Sequence, residues 1–348
     1  MLCHANYLVP SACSNDNSRS SEIMIIIQTP LRVSLFGGGT DFPSYYLEHG
    51  GCVLSSAIDK YIFVTIKKRF DAKLRIGYTR TEMIDCVDEI NHELIREAMR
   101  LTGIERGVEI TTMGDIPDQG SGLGSSSTVT VGALHAMYAY KKELVLTERL
   151  AQEACRIERE ILGKPIGIQD QYIAAYGGLR FMEFTTSGDV LTHRLELSER
   201  TMRRLSDNLL LFFTGVTRKA DTILKEQKTN IKDKLTILAE MKQIAHMACD
   251  EIQKENIDAV GTLLHESWLL KKQLASQISN SALDDMYETA RKAGAVGGKI
   301  SGAGGGGFLL LYVPRGQQEQ VRDALRDFQE YPFTLGQDGS KVIFDYQR

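Results

Sequence analysis

The chain reads as an α+β protein in two domains, and three observations point there. Its first half alternates β-branched runs with glycine-rich turns, and its second half carries a series of long segments with apolar residues at helical spacing. Three separate glycine-rich segments also punctuate the chain, at residues 36–41 (FGGGTD), 120–127 (GSGLGSSS) and 301–307 (SGAGGGG). A length of 348 residues suits one large domain or two packed ones.

Taken in order, residues 1–23 read as a disordered extension, polar and Ser/Asn-rich over most of their length, with Met24 a candidate start. No basic start followed by an apolar core marks a secretory signal there. Strands are predicted at residues 25–28, 32–36, 52–56, 62–67, 73–76 and 108–113 from their β-branched content. Helices are predicted at 89–101, 126–140 and 147–162, the last through Leu150, Ala154, Ile157 and Ile161, with Thr147 as its N-cap. Strands follow around 178–184, 190–195 and 209–213. Helical spacing then marks 220–228, 231–254, 257–276 and 281–293, and strand 308–313, helix 317–328 and strand 341–346 close the chain. The change of pattern near 185–206 divides the chain into an N-terminal domain over 24–195 and a C-terminal domain over 196–348.

A net charge of −4 without a sustained basic block argues against nucleic acid as a partner. The longest apolar runs fall far short of the roughly 20 residues that span a bilayer, so no membrane association is expected. The six cysteines are scattered, without CxxC pairs or histidines at zinc-ligand spacing, which fits a reduced cytoplasm.

The glycine segments differ in what they can do. The middle one lies between a predicted strand and a predicted helix, which puts backbone N–H groups at a helix N-terminus, where phosphate binds. Gly120, Gly122 and Gly124 permit close backbone approach, and Ser125, Ser126 and Ser127 add hydroxyls able to donate or to ligate Mg²⁺. A Walker loop is excluded, since GxxxxGK[ST] occurs nowhere. Gly302, Gly304 and Gly307 satisfy GxGxxG, but a predicted strand follows where a dinucleotide fold needs a helix.

In sequence order, residues 29–43 (TPLRVSLFGGGTDFP), 117–127 (PDQGSGLGSSS) and 299–307 (KISGAGGGG) resemble the three motifs of the GHMP kinases, a family named after galactokinase, homoserine, mevalonate and phosphomevalonate kinases. The resemblance spans nearly the whole chain after residue 23. It implies a left-handed βαβ unit in the N-terminal domain, a ferredoxin-like C-terminal domain and an active site between them. ATP and Mg²⁺ are the implied cofactors, with Gly120, Ser121, Gly122, Leu123, Gly124, Ser125, Ser126 and Ser127 around the phosphates.

By the same resemblance Asp170 is the catalytic aspartate, Arg32 its electrostatic partner, and Glu158 joins Ser126 on the metal. Glu158 also borders the apolar stripe of its predicted helix, where a carboxylate needs a cation or donors; a surface ion pair is the bland alternative. For Asp170 the alternative is the N-cap of a helix over 171–176. Gly38, Gly39, Thr40 and Asp41 of the first motif, and Gly302, Ala303, Gly304 and Gly305 of the third, are implied on the substrate side. Galactokinase and mevalonate kinase carry a Glu-His pair where this chain has Gly38 and Gly39, which argues against either substrate. The GGGTDFP form, with residues 214–220 (TGVTRKA), resembles the heptose-phosphate branch, fucokinase being the nearest alternative. A sugar-phosphate substrate calls for a further cation, and Arg218 is the candidate. A solvated arginine at a helix start, or a non-catalytic sugar sensor on the same scaffold, remain the competing readings.

Overall fold

A computed structural model describes residues 22–116, 120–216 and 220–347. Residues 1–21, read above as an extension, therefore lie outside the described residues. Ile23, counted with that extension, is the first residue of a strand and pairs with Gln347.

Eleven strands run in chain order as β1 (Ile23–Phe36), β2 (Gly51–Lys68), β3 (Leu74–Gly77), β4 (Thr81–Ile84), β5 (Val108–Gly114), β6 (Leu179–Phe184), β7 (Val190–Arg194), β8 (Leu209–Phe213), β9 (Gly297–Ile300), β10 (Phe308–Tyr312) and β11 (Lys341–Gln347) among the described residues. The α-helices are α1 (Pro43–His49), α2 (Glu93–Thr102), α3 (Ser125–Tyr140), α4 (Thr147–Cys155), α5 (Gln169–Tyr176), α6 (Glu199–Asp207), α7 (Ala220–Asn230), α8 (Leu235–Gln253), α9 (Ala259–Lys271), α10 (Ser281–Lys292) and α11 (Gln318–Ala324).

The eight-stranded sheet runs β11-β1-β2-β5-β3-β4, with β6 and β7 branching from β2. It forks because β2 is long: Gly51 to Ser56 pair with β6, whereas Ile62 to Lys68 pair with β5. Runs expected as separate strands, 25–28 with 32–36 and 52–56 with 62–67, are continuous in β1 and β2. The interruption survives as a register shift between Pro30 and Arg32, where proline removes a ladder donor. Such irregularities re-aim neighbouring side chains, and Arg32 stands directly after this one. The single parallel pair among the described residues, β3 with β5, is joined through α2 and forms a βαβ unit. Helix α3 lies on the sheet, so close at Gly132 that an added Cβ would meet Thr29 Oγ1 at 2.9 Å.

The smaller sheet runs β8-β10-β9. Beyond β8, residue 330 bridges Phe212, and Phe213 N–H donates to Gln329 O. This completes the 4-1-3-2 order of a ferredoxin-like sheet, with its last strand reduced to a bridge. Period-two alternation sorts the strands between two cores. Phe308, Leu310 and Tyr312 join the large core shared with the first sheet, while Leu309, Leu311 and Val313 join a second core with Trp268, Met286 and Tyr287.

Three expectations are corrected. The closing strand β11, expected among C-terminal elements, returns to the large sheet and pairs antiparallel with β1. The helix predicted over 147–162 is α-helical only to Cys155, and Arg156 to Ile161 form a π-helical turn. Thr147 is the first residue of α4 rather than its cap; Leu146 holds the cap position without a side-chain bond. Among the described residues no helix is long and apolar enough to cross a membrane.

Candidate active site

The glycine loop 120–124 leads into α3, whose cap residue Gly124 makes no side-chain bond to the first turn. The N–H groups of that turn are therefore left for an external acceptor, which the helix dipole favours when it is anionic. Gly122 (φ 75°) packs so tightly on the third glycine segment that a Cβ would stand 2.5 Å from Ser301 O. Reciprocally, a Cβ on Gly302 (φ 66°) would stand 2.7 Å from Gly122 Cα. The two loops thus brace each other backbone to backbone. Leu123 O accepts the Arg32 N–H at 3.1 Å, and Ser121 Oγ meets Ser125 Oγ at 3.1 Å.

On the acceptor side, Arg32 is 4% exposed and grips Asp170 with both arms of its fork, Nε to Oδ1 at 2.7 Å and Nη2 to Oδ2 at 2.5 Å. Its remaining nitrogen Nη1 donates to Gly122 O at 2.6 Å, so one guanidinium ties the carboxylate to the glycine loop. Asp170 lies in the first turn of α5 and is not its cap, that position belonging to Ile168. Asp41 is buried, accepts N–H donors from Gly39 (3.0 Å) and Gln169 (3.3 Å) and the Gln169 amide at 3.1 Å. Burial pushes its carboxyl up, opposed by the Gly39 N–H and reinforced by the nearby charge of Asp170.

On the other side of the α3 N-terminus, Glu158 is fully buried. It accepts the Ser126 hydroxyl at 2.7 Å and the Gln171 amide at 2.9 Å, and Lys164 Nζ reaches Ser126 Oγ at 3.4 Å. Burial raises the Glu158 carboxyl, partly offset by Ser126, Lys164, Gln171 and Ser127. Its place in the π-helical turn accords with where such turns occur, at functional sites. Gln171 Oε1 has no partner, and no group of three or more His, Cys, Asp or Glu able to hold a metal exists among the described residues. One carboxylate beside one hydroxyl is the donor set with which Mg²⁺ is held when phosphate oxygens supply the rest.

The structure thus brings together Arg32, Asp41, Asp170, Gly122 and Gly302, and beside them Ser126 with Glu158. Thr40 is corrected: its hydroxyl is committed to Gly37 O and Cys52 O at 2.8 Å each and accepts Cys52 N–H, so it holds the first loop together. Gly304 and Gly305 pack on Ile278, whose carbonyl takes the Gly305 N–H, and Ala303 O accepts the Gln227 amide. These contacts anchor the third loop. Arg218 lies outside the described residues. Sequence reasoning missed Gln169 and Gln171, which flank Asp170, Lys299, which opens the third motif and donates to Ser34 O and Leu35 O, and Lys271, which donates to Gly302 O.

A glycine loop at a helix N-terminus, facing an aspartate–arginine pair where the two sheets' units meet, defines a phosphotransferase. The model of the GHMP kinases N terminal domain matches residues 88–178, and that of the GHMP kinases C terminal domain matches residues 248–330. The chain is 33% identical over 334 residues to the D-glycero-alpha-D-manno-heptose 7-phosphate kinase of Campylobacter jejuni, covering 90% of this chain and 97% of that protein. A crystal structure of a D-glycero-D-manno-heptose 1-phosphate kinase from Bacteroides thetaiotaomicron superposes with a TM-score of 0.78 at 26% identity, over 92% of this chain and 99% of the other. A galactokinase from Pyrococcus furiosus is 24% identical over 86% of this chain and 92% of its own length. The chain belongs to the GHMP kinase family and is an ATP-dependent phosphotransferase acting on an alcohol group.

Proposed function

We propose that this chain is a sugar-phosphate kinase that transfers the γ-phosphoryl group of ATP to the anomeric hydroxyl of D-glycero-D-manno-heptose 7-phosphate, giving the 1,7-bisphosphate. The carrying observation is the Arg32–Asp170 pair tied to the glycine loop through Gly122 O. It sets an acceptor carboxylate within one guanidinium of the phosphate cradle. The similarity to the Campylobacter enzyme supports this choice of substrate.

The sugar oxygen attacks the γ-phosphorus while the bond to the bridging oxygen of ADP breaks. Asp170 accepts the hydroxyl proton or holds the hydroxyl in line, and Arg32 keeps the carboxylate in place. Asp41, with Gly38 and Gly39, binds sugar hydroxyls. Gly120 to Ser127 bind the phosphates, and Arg218 holds the sugar's own phosphate. Glu158 and Ser126 would hold Mg²⁺, which when bound offsets charge on the ATP phosphates. No phosphoenzyme forms.

A fucokinase-like activity is the second reading. It is favoured by a 26% identical match, over 88% of this chain and 31% of that protein, to the bifunctional fucokinase/GDP-fucose pyrophosphorylase of Arabidopsis thaliana. ADP release with a panel of heptose 7-phosphate, heptose 1-phosphate, fucose and galactose, read by mass and phosphorus NMR, separates these. Phosphorylation of heptose 7-phosphate at C1 is expected. Efficient turnover of free fucose with the heptose phosphates inert overturns the substrate while leaving a kinase, and binding without any turnover favours a sensor.

A further inference from the structure

Arg32 cannot by itself supply net positive charge to a phosphoryl group in transfer. Two of its nitrogens are committed to Asp170, which cancels its charge, and the third to Gly122 O. A second cation stands on α9. Lys271 is 4% exposed, sits on the last turn of that helix, and has no ion-pair partner among the described residues. Its amine donates to Gly302 O, and Gly302 is the residue that touches Gly122. Lys271 and Arg32 therefore flank the same loop-to-loop contact, Lys271 holding Gly302 and Arg32 holding Gly122.

The groups that act on the Lys271 charge are Arg32 from β1, Asp41 from the loop after β1, Asp170 from α5 and Lys299 from β9. Arg32 opposes protonation and the two carboxylates favour it, but burial outweighs them and lowers the amine to about 8. A buried cation without a partner is costly, and such groups persist where a ligand completes them. Two buried hydroxyls of the first and third motifs have no hydrogen-bond partner among the described residues: Ser34 Oγ, on the residue whose carbonyl takes Lys299, and Ser301 Oγ, on the residue before Gly302. Buried hydroxyls left unsatisfied on the two loops, and a buried amine with donors to spare and no ion pair, are groups that the oxygens of a phosphoryl group can complete.

We infer that Lys271 is a catalytic residue of this kinase, contacting oxygens of the phosphoryl group as it passes to the acceptor hydroxyl. The inference rests on the reading of Asp170 as the acceptor carboxylate, since that fixes where the transfer occurs. The Gly302 carbonyl holds the amine in register with the glycine loop, and phosphate oxygens take its remaining N–H donors.

The test uses the full chain with ATP, Mg²⁺ and whichever sugar phosphate the panel identifies, comparing wild type, Lys271→Met and Lys271→Arg across pH. Loss of one such donor typically costs about 10²- to 10³-fold in kcat, and Lys271→Met is expected to lose that much with the KM for ATP changed by less than about threefold. The wild-type kcat/KM, which reports the free enzyme, is expected to fall as pH rises through about 8. Lys271→Arg should retain most of the activity and show no such fall, because guanidinium stays charged there. A Lys271→Met enzyme with wild-type kcat overturns the inference. So does an arginine variant whose kcat/KM falls at the same pH as wild type, a readout that stands even where the methionine variant does not fold. Asp170→Asn measured alongside keeps the two claims apart: full activity there removes the reading of Asp170, whereas normal Lys271 variants beside a dead Asp170→Asn remove only the role of Lys271.

Discussion

Asp170 and Glu158 both reach the N-terminal loop of α3, the first through Arg32 and the second through Ser126, yet they are stabilised by different chemistry. Asp170 is answered by a full positive charge in fork geometry. Glu158 is deeper and is answered mainly by neutral donors, the Ser126 hydroxyl and the Gln171 amide, with the Lys164 charge acting from beyond. A carboxylate already compensated by a guanidinium can orient an acceptor without attracting a second cation. One that is buried among hydroxyl and amide groups retains most of its attraction for a cation. Under the proposed function, the difference becomes a division of labour around the N-terminus of α3, with acceptor chemistry assigned to Asp170 and metal to Glu158.

The sharpest way to break this division is Asp170→Asn, expected to lose about 10²- to 10⁴-fold in turnover, the usual worth of a general base, while ATP binding by calorimetry stays near wild type. Loss of ATP affinity in that variant would merge the two sides into one. The sugar-phosphate end is probed by Arg218→Ala. Its KM for the sugar phosphate should rise by an amount equivalent to about 1.5–3 kcal/mol, the worth of a hydrogen bond to a charged group, with the KM for ATP little changed.

The contact on which both sides rest can be opened directly. Gly122→Ala forces a side chain into positive φ and against Ser301 O, which should cost about 1–3 kcal/mol of stability by chemical denaturation and raise the KM for ATP. Full stability would show the loops free to separate. The smallest effect is on the pH dependence of stability without metal. Because burial raises the Glu158 carboxyl above its unfolded value, the folded state holds that proton more tightly. Its contribution to stability is therefore largest at low pH and is lost as pH rises from the unfolded value through the folded one. Glu158→Gln should flatten the melting temperature over that window relative to wild type.

Much of this architecture was legible because glycine and charge leave marks that do not depend on distant neighbours. The strand, loop and helix around 108–140 follow from β-branched content, glycine spacing and helical periodicity, and β5 and α3 stand there. Asp170, Arg32, Glu158 and Ser126 came from resemblance, and their convergence needed the fold, since Arg32 and Asp170 are far apart in the chain. What stayed hidden was set by tertiary context. The strand character of 341–346 was visible, but its partner β1 lies at the other end of the chain, and no local pattern names it. The π-helical turn at Glu158 keeps the apolar spacing of an ordinary helix closely enough to pass for one. Lys271 stands in the run LLKKQ, where a buried and a solvated lysine look alike.

The division of labour is tested most directly by measuring ATP affinity as a function of Mg²⁺ concentration in wild type, Asp170→Asn and Glu158→Gln. Wild type and Asp170→Asn are expected to tighten on ATP in parallel as Mg²⁺ is added, while Glu158→Gln loses most of that dependence, by about tenfold or more, as when a group supporting a metal is removed. Equal Mg²⁺ dependence in all three, or its loss in Asp170→Asn alone, would contradict the assignment of the two carboxylates.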